Sequence, residues 1–302
     1  MALNDKDGMG NVYISFATHY WQKKDLETAV EYDKKSLKLY EELGDLKGVA
    51  INLVGIGIYF SDVKKDNYEA FNYYQRAQNI FEDNGYKTQI PYSLQNMAST
   101  EINLGRFESA LSNYGKLAKL YEELGYGEKR VHSIFDMKAY VMSITGDHEG
   151  ASAIYENGLE LYEKLDNKEG ILYSLNNLGI SSYLNEDYEM ALEYLERANE
   201  LSRGMESPGH ALTTELYLKL CYQHFGQKID LENIQNILKE TENIGYKTNF
   251  YLYQLFGNKM YLESAYDKIQ DRTKQMRDEF KQKFMDYPIP NKIIKEYGRV
   301  VS

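Results

Sequence analysis

Apolar residues in this chain recur three and four positions apart, and short polar breaks cut the pattern at regular intervals. Residues 169–203 show one period of it. Leu172, Leu175, Leu178 and Ser182 share one helical face, and Asn185-Glu186-Asp187 then interrupts the pattern. From Tyr188 onward Ala191, Leu192, Leu195, Ala198 and Leu201 form a second apolar stripe. Spacings of three and four place side chains on one side of a 3.6-residue helix. Asp187 is suited to cap the second helix, because its carboxylate can accept from free N–H groups of the first turn. The unit predicted is helix, tight turn, helix.

That unit repeats. Ala29, Ala70, Ala110, Ala151 and Ala191 are spaced 41, 40, 41 and 40 residues apart, and Leu231 follows after another 40. A small residue precedes each alanine by twelve: Ala17, Ala98, Ala139 and Gly179, with Gly55 taken at fifteen through a three-residue insertion. Small residues at two crossing points let helix axes approach closely. Turn glycines fall five before the phased position at Gly105, Gly146 and Gly226, and the units are joined by segments such as YEELGD (40–45) and YEELGY (121–126). Gly after a helix is a termination signal. A constant period of this size marks a stack of one supersecondary unit. Repeats are placed near 8–46, 47–87, 88–127, 128–167, 168–206 and 207–247.

The pattern resembles the tetratricopeptide repeat (TPR) family. The matching residues are Leu-Gly in NNLG (176–179), Tyr183, the Asp-Tyr-Glu-x-Ala of 187–191, and Ala198. The period is longer than the ~34 residues of the short form and is similar to the long variant found in kinesin light chains and in helical repeat segments of bacterial signalling proteins. HEAT-type units have a comparable period but lack the small-residue pair with the intervening turn. The resemblance implies an all-α, right-handed α-α superhelix, a TPR solenoid of six to seven helix pairs. It covers about 8–203 and decays in the sixth unit, where Lys219 and Leu231 replace the small residues. Lys138 also stands where an apolar residue is usual, which raises a local register change as an alternative.

The period ends at 247. A short helix is expected next, then one long helix over about 259–285 with Ala265, Ile269, Met276, Phe280 and Phe284 on one face, stopped by Pro288 and Pro290. The expected division is a solenoid at 1–258 and a C-terminal capping helix and tail at 259–302. A solenoid needs a cap with a polar outer face. The ending loosely resembles the close of repeat segments in large bacterial kinases, nucleotide cyclases and ATPases. A regulatory or sensor fragment of such an enzyme is therefore the alternative to a free-standing scaffold.

Composition narrows the chemistry. The net charge of −11, from 35 basic and 46 acidic residues, disfavours nucleic acid. No apolar run reaches the ~18 residues of a membrane span, and MALNDKDGMGNVYISFA lacks the form of a signal peptide. With a single cysteine, Cys221, no disulfide framework is expected and a cytoplasmic location fits. His19, His132, His148, His210 and His224 are scattered, and no metal or cofactor site is expected. Gly55-Ile56-Gly57 lacks the rest of a phosphate loop. No catalytic motif is found, and a noncatalytic protein- or peptide-binding scaffold is the expected function.

First helices line the concave face of such a stack. Counting from the small residue of each first helix, the groove-facing candidates are Trp21, Asn52, Tyr59, Gln95, Asp136, Tyr140, Tyr173, Asn176 and Tyr183. Asn52, Gln95, Asp136 and Asn176 would be polar anchors for a peptide backbone, and the aromatic rings would add contact area at low entropic cost.

Overall fold

The computed structural model describes residues 6–203 and 208–301. Residues 1–5, the repeat boundary set at 206–207, and the His210 side chain lie outside that description. Among the described residues there are sixteen helices and no strands, as the 3.6-residue periodicity requires.

The chain divides into two compact units, residues 1–126 and 127–302. The first holds three helix pairs: α1 (Lys6–Gln22) with α2 (Leu26–Leu43), α3 (Leu46–Asp62) with α4 (Asn67–Asp83), and α5 (Ile90–Asn103) with α6 (Phe107–Glu123). The second holds α7 (Glu128–Thr145), α8 (His148–Lys164), α9 (Lys168–Leu184), α10 (Tyr188–Ser202), α11 (Pro208–His224), α12 (Glu232–Glu240), α13 (Tyr246–Phe256), α14 (Lys259–Thr273), α15 (Asp278–Asp286) and α16 (Pro288–Val300). Within each unit consecutive helices pack on one another through α12, and α13 then packs on α11 and on α14. This division falls between the third and fourth repeats, and α14–α16 belong to the second unit.

The phase seen in sequence is the phase of the turns. Lys24, Lys65, Gly105, Gly146 and Glu186 have left-handed backbone (φ 59°, 54°, 76°, 94° and 64°), and each stands five residues before a phased alanine. Glycine suits that conformation, and lysine or glutamate adopts it only at a conformational cost. Asp25, Asp66, Asp147 and Asp187 then cap the second helices, each accepting an N–H from the residue three further on at 3.0–3.2 Å. The phased alanines are fully buried at all five sites.

The second repeat corrects the sequence reading. The Asp66 N–H reaches back six residues, to the Phe60 carbonyl, where the equivalent turns close over five, as in Arg106 to Glu101 and Asp187 to Ser182. The insertion is thus one residue, not three, and Gly57 is the small residue in place of Gly55. A Cβ at Gly57 would meet the Tyr74 ring at 2.5 Å, as one at Gly179 would meet Leu195 Cγ at 2.6 Å. Tyr74 and Leu195 both lie four residues after the phased alanine.

The fourth repeat shows no register change: Ala139 is fully buried and Gly146 holds its turn in phase, with Lys138 only half-buried beside it. In the sixth, Lys219 is tolerated because its ammonium lies 3.4 Å from the buried Glu215 carboxylate. Leu231 does not serve as the phased small residue. It precedes the nine-residue α12, whose buried side chain is Ile234.

The long helix expected over 259–285 is instead α14, a turn, and α15. Arg277 is extended (ψ 153°), and Asp278 and Glu279 open α15, where acids favour a helix N-terminus. The turn allows Ile269, Met276 and Phe284 all to be buried. Pro288 and Pro290 begin α16 rather than ending a helix: Tyr287 is extended, as a residue before proline tends to be, and proline fits a first helical turn. The tail then folds back. The Tyr253 hydroxyl donates to Glu296 at 2.9 Å, and Tyr266 and Tyr297 stack at 3.9 Å. Pro288 lies against Gly146, where an added Cβ would come within 2.8 Å of its Cγ.

Candidate functional site

Three of the four expected polar anchors turn inward. Asn52 is fully buried, donating to Ser36 Oγ at 3.1 Å and to the Gly48 carbonyl at 2.7 Å. It lies five residues before Gly57, a position that faces the preceding helix pair. Ser93, Ser174 and Thr214 hold the same position and are buried too. Asp136 accepts from the Tyr162 hydroxyl at 2.6 Å and faces His132 Nε2 at 3.4 Å. Asn176 Oδ1 accepts from Thr214 Oγ1 at 2.6 Å. An amide or carboxylate in a helix stack is tolerated because it is bonded there, so these three hold neighbouring helices together. Gln95 is exposed.

The aromatic candidates divide as well. Trp21 is half-buried and donates through Nε1 to Asp33 at 3.1 Å; burial pushes the Asp33 carboxyl up to about 6. Tyr59 is buried, and its hydroxyl donates to Glu27 at 2.6 Å. With the corrected register, Val54, Ile58 and Ser61 take the groove-facing positions in its repeat. Tyr173 is half-buried and packs edge-on to Tyr155. Tyr183 meets Tyr217 and Tyr251 at 5.3 and 5.8 Å, forming a three-ring cluster across α9, α11 and α13. Tyr140 alone among the aromatic candidates is openly presented, at 45% exposure.

Tyr140 marks the edge of a cavity of about 330 Å³ in the second unit. One side is made by the first helices of successive pairs, through Tyr140, Ile180 and Tyr217; the other is the start of α13 with Arg272 of α14 and Ile289 of α16. Burial lowers the Lys247 ammonium to about 8 and raises the Tyr246 hydroxyl to about 12, the latter offset in part by Arg272. Nearby His148 is pushed down to about 4, first by burial and then by Lys247. Sequence reasoning missed Tyr246, Lys247 and Arg272, which lie where the repeat period has ended. For Lys247 the available signal was a basic residue in the aromatic run YKTNFYLY (246–253); Arg272, in the polar stretch KIQDRTKQ (268–275), carried none.

Among the described residues, no helix is long and apolar enough to cross a membrane, and no group of three or more His, Cys, Asp and Glu side chains is placed to hold a metal ion.

The comparisons with known proteins agree with this architecture. Residues 133–204 match the tetratricopeptide repeat family and residues 1–125 match the soluble NSF attachment protein family. A curated relative, regulatory protein RapD of Bacillus subtilis, is 22% identical over 241 residues, which is 76% of this chain and 63% of that protein. The chain thus spans less than two thirds of that relative's length. Among solved structures, the apo form of RapI aligns over 96% of this chain and 99% of its own, with a TM-score of 0.66 at 15% identity. A Rap protein complexed with competence and sporulation factor aligns over 97% of this chain and 75% of its own, with a TM-score of 0.58 at 14% identity. A signal-transduction ATPase with a tetratricopeptide repeat sensor, from Pyrococcus horikoshii, aligns over 97% of this chain and 43% of its own (TM-score 0.61, 15% identity). The chain has a helical-repeat fold of the tetratricopeptide type, similar to that of the Rap regulatory proteins.

Proposed function

We propose that this chain is a noncatalytic scaffold that binds a protein or peptide segment on the first helices of its second unit, in the cytoplasm. The observation that carries this reading is the cavity bordered by Tyr140, Ile180 and Tyr217: one exposed ring and an apolar side chain beside a partly enclosed space, on the side of the repeats that first helices make. Concave, aromatic-lined surfaces of this kind bury ligand area with few ordered polar groups. The fold-level likeness to a Rap protein complexed with competence and sporulation factor supports a ligand on such a surface. The test is affinity selection from a random heptapeptide library. Capture should weaken in Tyr140→Ala and persist in Glu193→Lys on the exposed side of α10. Loss in Glu193→Lys with retention in Tyr140→Ala would move the working surface to the second helices. A second reading, a sensor segment of a larger signalling ATPase, is favoured by the alignment of nearly the whole chain to under half of the Pyrococcus protein.

A further inference from the structure

The same cavity carries charge that nothing nearby answers. Lys247 and Arg272 both line it. Among the described residues neither forms an ion pair; the Lys247 ammonium lies 5.9 Å from the centre of the Tyr217 ring, and the Arg272 guanidinium 6.0 Å from that of Tyr246 and 5.3 Å from that of Phe284. Arg272 Nε is buried and has no hydrogen-bond partner. A charge drawn out of water is costly unless it is paired, and here two half-buried cations line one cavity in a chain whose net charge is −11. The start of α13 adds to them. Its N-cap is Gly245, which offers no side chain to the first N–H groups, and residues 245–248 line the cavity. An acid close to His148, Asp147, is exposed and accepts the Gly150 N–H at 3.0 Å.

We propose that the cavity between α7, α9, α11 and the start of α13 is a seat for a carboxylate of the bound peptide, its C-terminal one, held by Lys247, Arg272 and the uncapped N–H groups of α13. The inference rests on the peptide-binding reading above. The fork of a carboxylate matches this donor set: an ammonium with three donors, a planar guanidinium, and backbone N–H groups at a positive helix end. Ile144, Ile180, Tyr217 and Ile289 form the apolar part of the lining and lower the local polarity, which strengthens each of these bonds. Burial lowers the Lys247 ammonium to about 8, and an arriving anion would raise it again.

The experiment uses the full chain and a random heptapeptide library made in two forms, free acid and C-terminal amide, mixed in equal amounts and read by mass spectrometry after capture. The expected result is enrichment of free-acid peptides by about tenfold, the scale of a charge-assisted bond pair. In Lys247→Met and in Arg272→Gln the preference for free-acid over amidated peptides should vanish; Arg272→Lys should keep part of it. Equal capture of both forms by the parent chain overturns the seat and leaves the scaffold reading standing. Captured amides enriched in Asp or Glu would assign the same seat to a side-chain carboxylate in place of the terminus. If neither form is captured, the scaffold reading fails and the seat fails with it.

Discussion

The two units are built from the same helix pair, yet the second ends in a cavity lined by two cations that, among the described residues, form no ion pair. In residues 1–126 the pairs succeed one another without interruption, and several buried polar side chains bond one another locally. Asn52 bonds Ser36, Ser93 bonds Gln78, and Asn113 donates to Glu101 at 2.8 Å. In residues 127–302 the same plan runs through α10 and then loosens. The second helix of the sixth pair shrinks to nine residues, and α16 returns toward the C-terminal end of α7. Regular stacking makes surface, because each pair sees only its neighbours. A pocket forms where the regularity stops and a later segment closes over an earlier one.

The largest effects should separate the units by location. Phe81 in α4 and Phe284 in α15 are both almost wholly buried. Phe81→Ala and Phe284→Ala should each cost about 3–5 kcal/mol. Hydrogen exchange should rise within 1–126 for the first and within 127–302 for the second; a rise over both units for either variant would show that they unfold as one. Next come the helix crossings, where Ala70→Leu and Ala191→Leu should each cost about 1–3 kcal/mol through overpacking. Equal losses in chemical denaturation would show that the shared plan is shared in energy.

The third prediction sets the units against each other by pH. Burial raises Asp33 in the first unit to about 6, so the folded form holds its proton more tightly than the unfolded chain does. That stability is present in acid and is lost as pH rises from about 4 to about 6. His148 in the second unit has the opposite sign. Its value falls to about 4, so stability is present above the unfolded value near 6.5 and is lost as pH falls toward 4. Between pH 7 and pH 5 the first unit should gain from Asp33 and the second lose from His148, each by about 1–3 kcal/mol. Unit-resolved hydrogen exchange on Asp33→Asn and His148→Gln, each compared with the parent, checks both arms. The smallest effect is common to both units: Asp66→Ala and Asp147→Ala each remove a helix cap and should lower stability by about 1 kcal/mol, read as a shift in melting temperature.

Most of the fold was legible because the 40-residue phase is a phase of backbone geometry. The left-handed residue, the capping aspartate and the buried alanine are all short-range features, fixed within ten residues of one another. The first-helix offset was less secure. Gly55 and Gly57 are both small, and only the six-residue span from Asp66 to Phe60 tells which one faces Tyr74. That two-residue error carried Asn52 and Tyr59 into the candidate site. Asp136 and Asn176 were counted in the right register, but polarity does not reveal direction when a partner such as Tyr162 or Thr214 waits 26 or 38 residues away. Lys247 and Arg272 were out of reach for a related reason: outside the repeat there is no phase to place them by, and the fold of the tail decides what they face.

The tail helix α16 makes the cavity mechanically audible. Its thirteen residues span about 20 Å; Ile289 borders the cavity at one end, and Lys259 Nζ donates to the Val300 carbonyl at the other. A rigid rod anchored in this way acts as a lever. A ligand that displaced Ile289 with the helix moving as one body would do work on the far end. By reciprocity, anything that pulls on the far end, whether a dye, a tether or an attached domain, alters ligand affinity by the same factor. A reporter placed near residue 300 would therefore sense an event one helix length away.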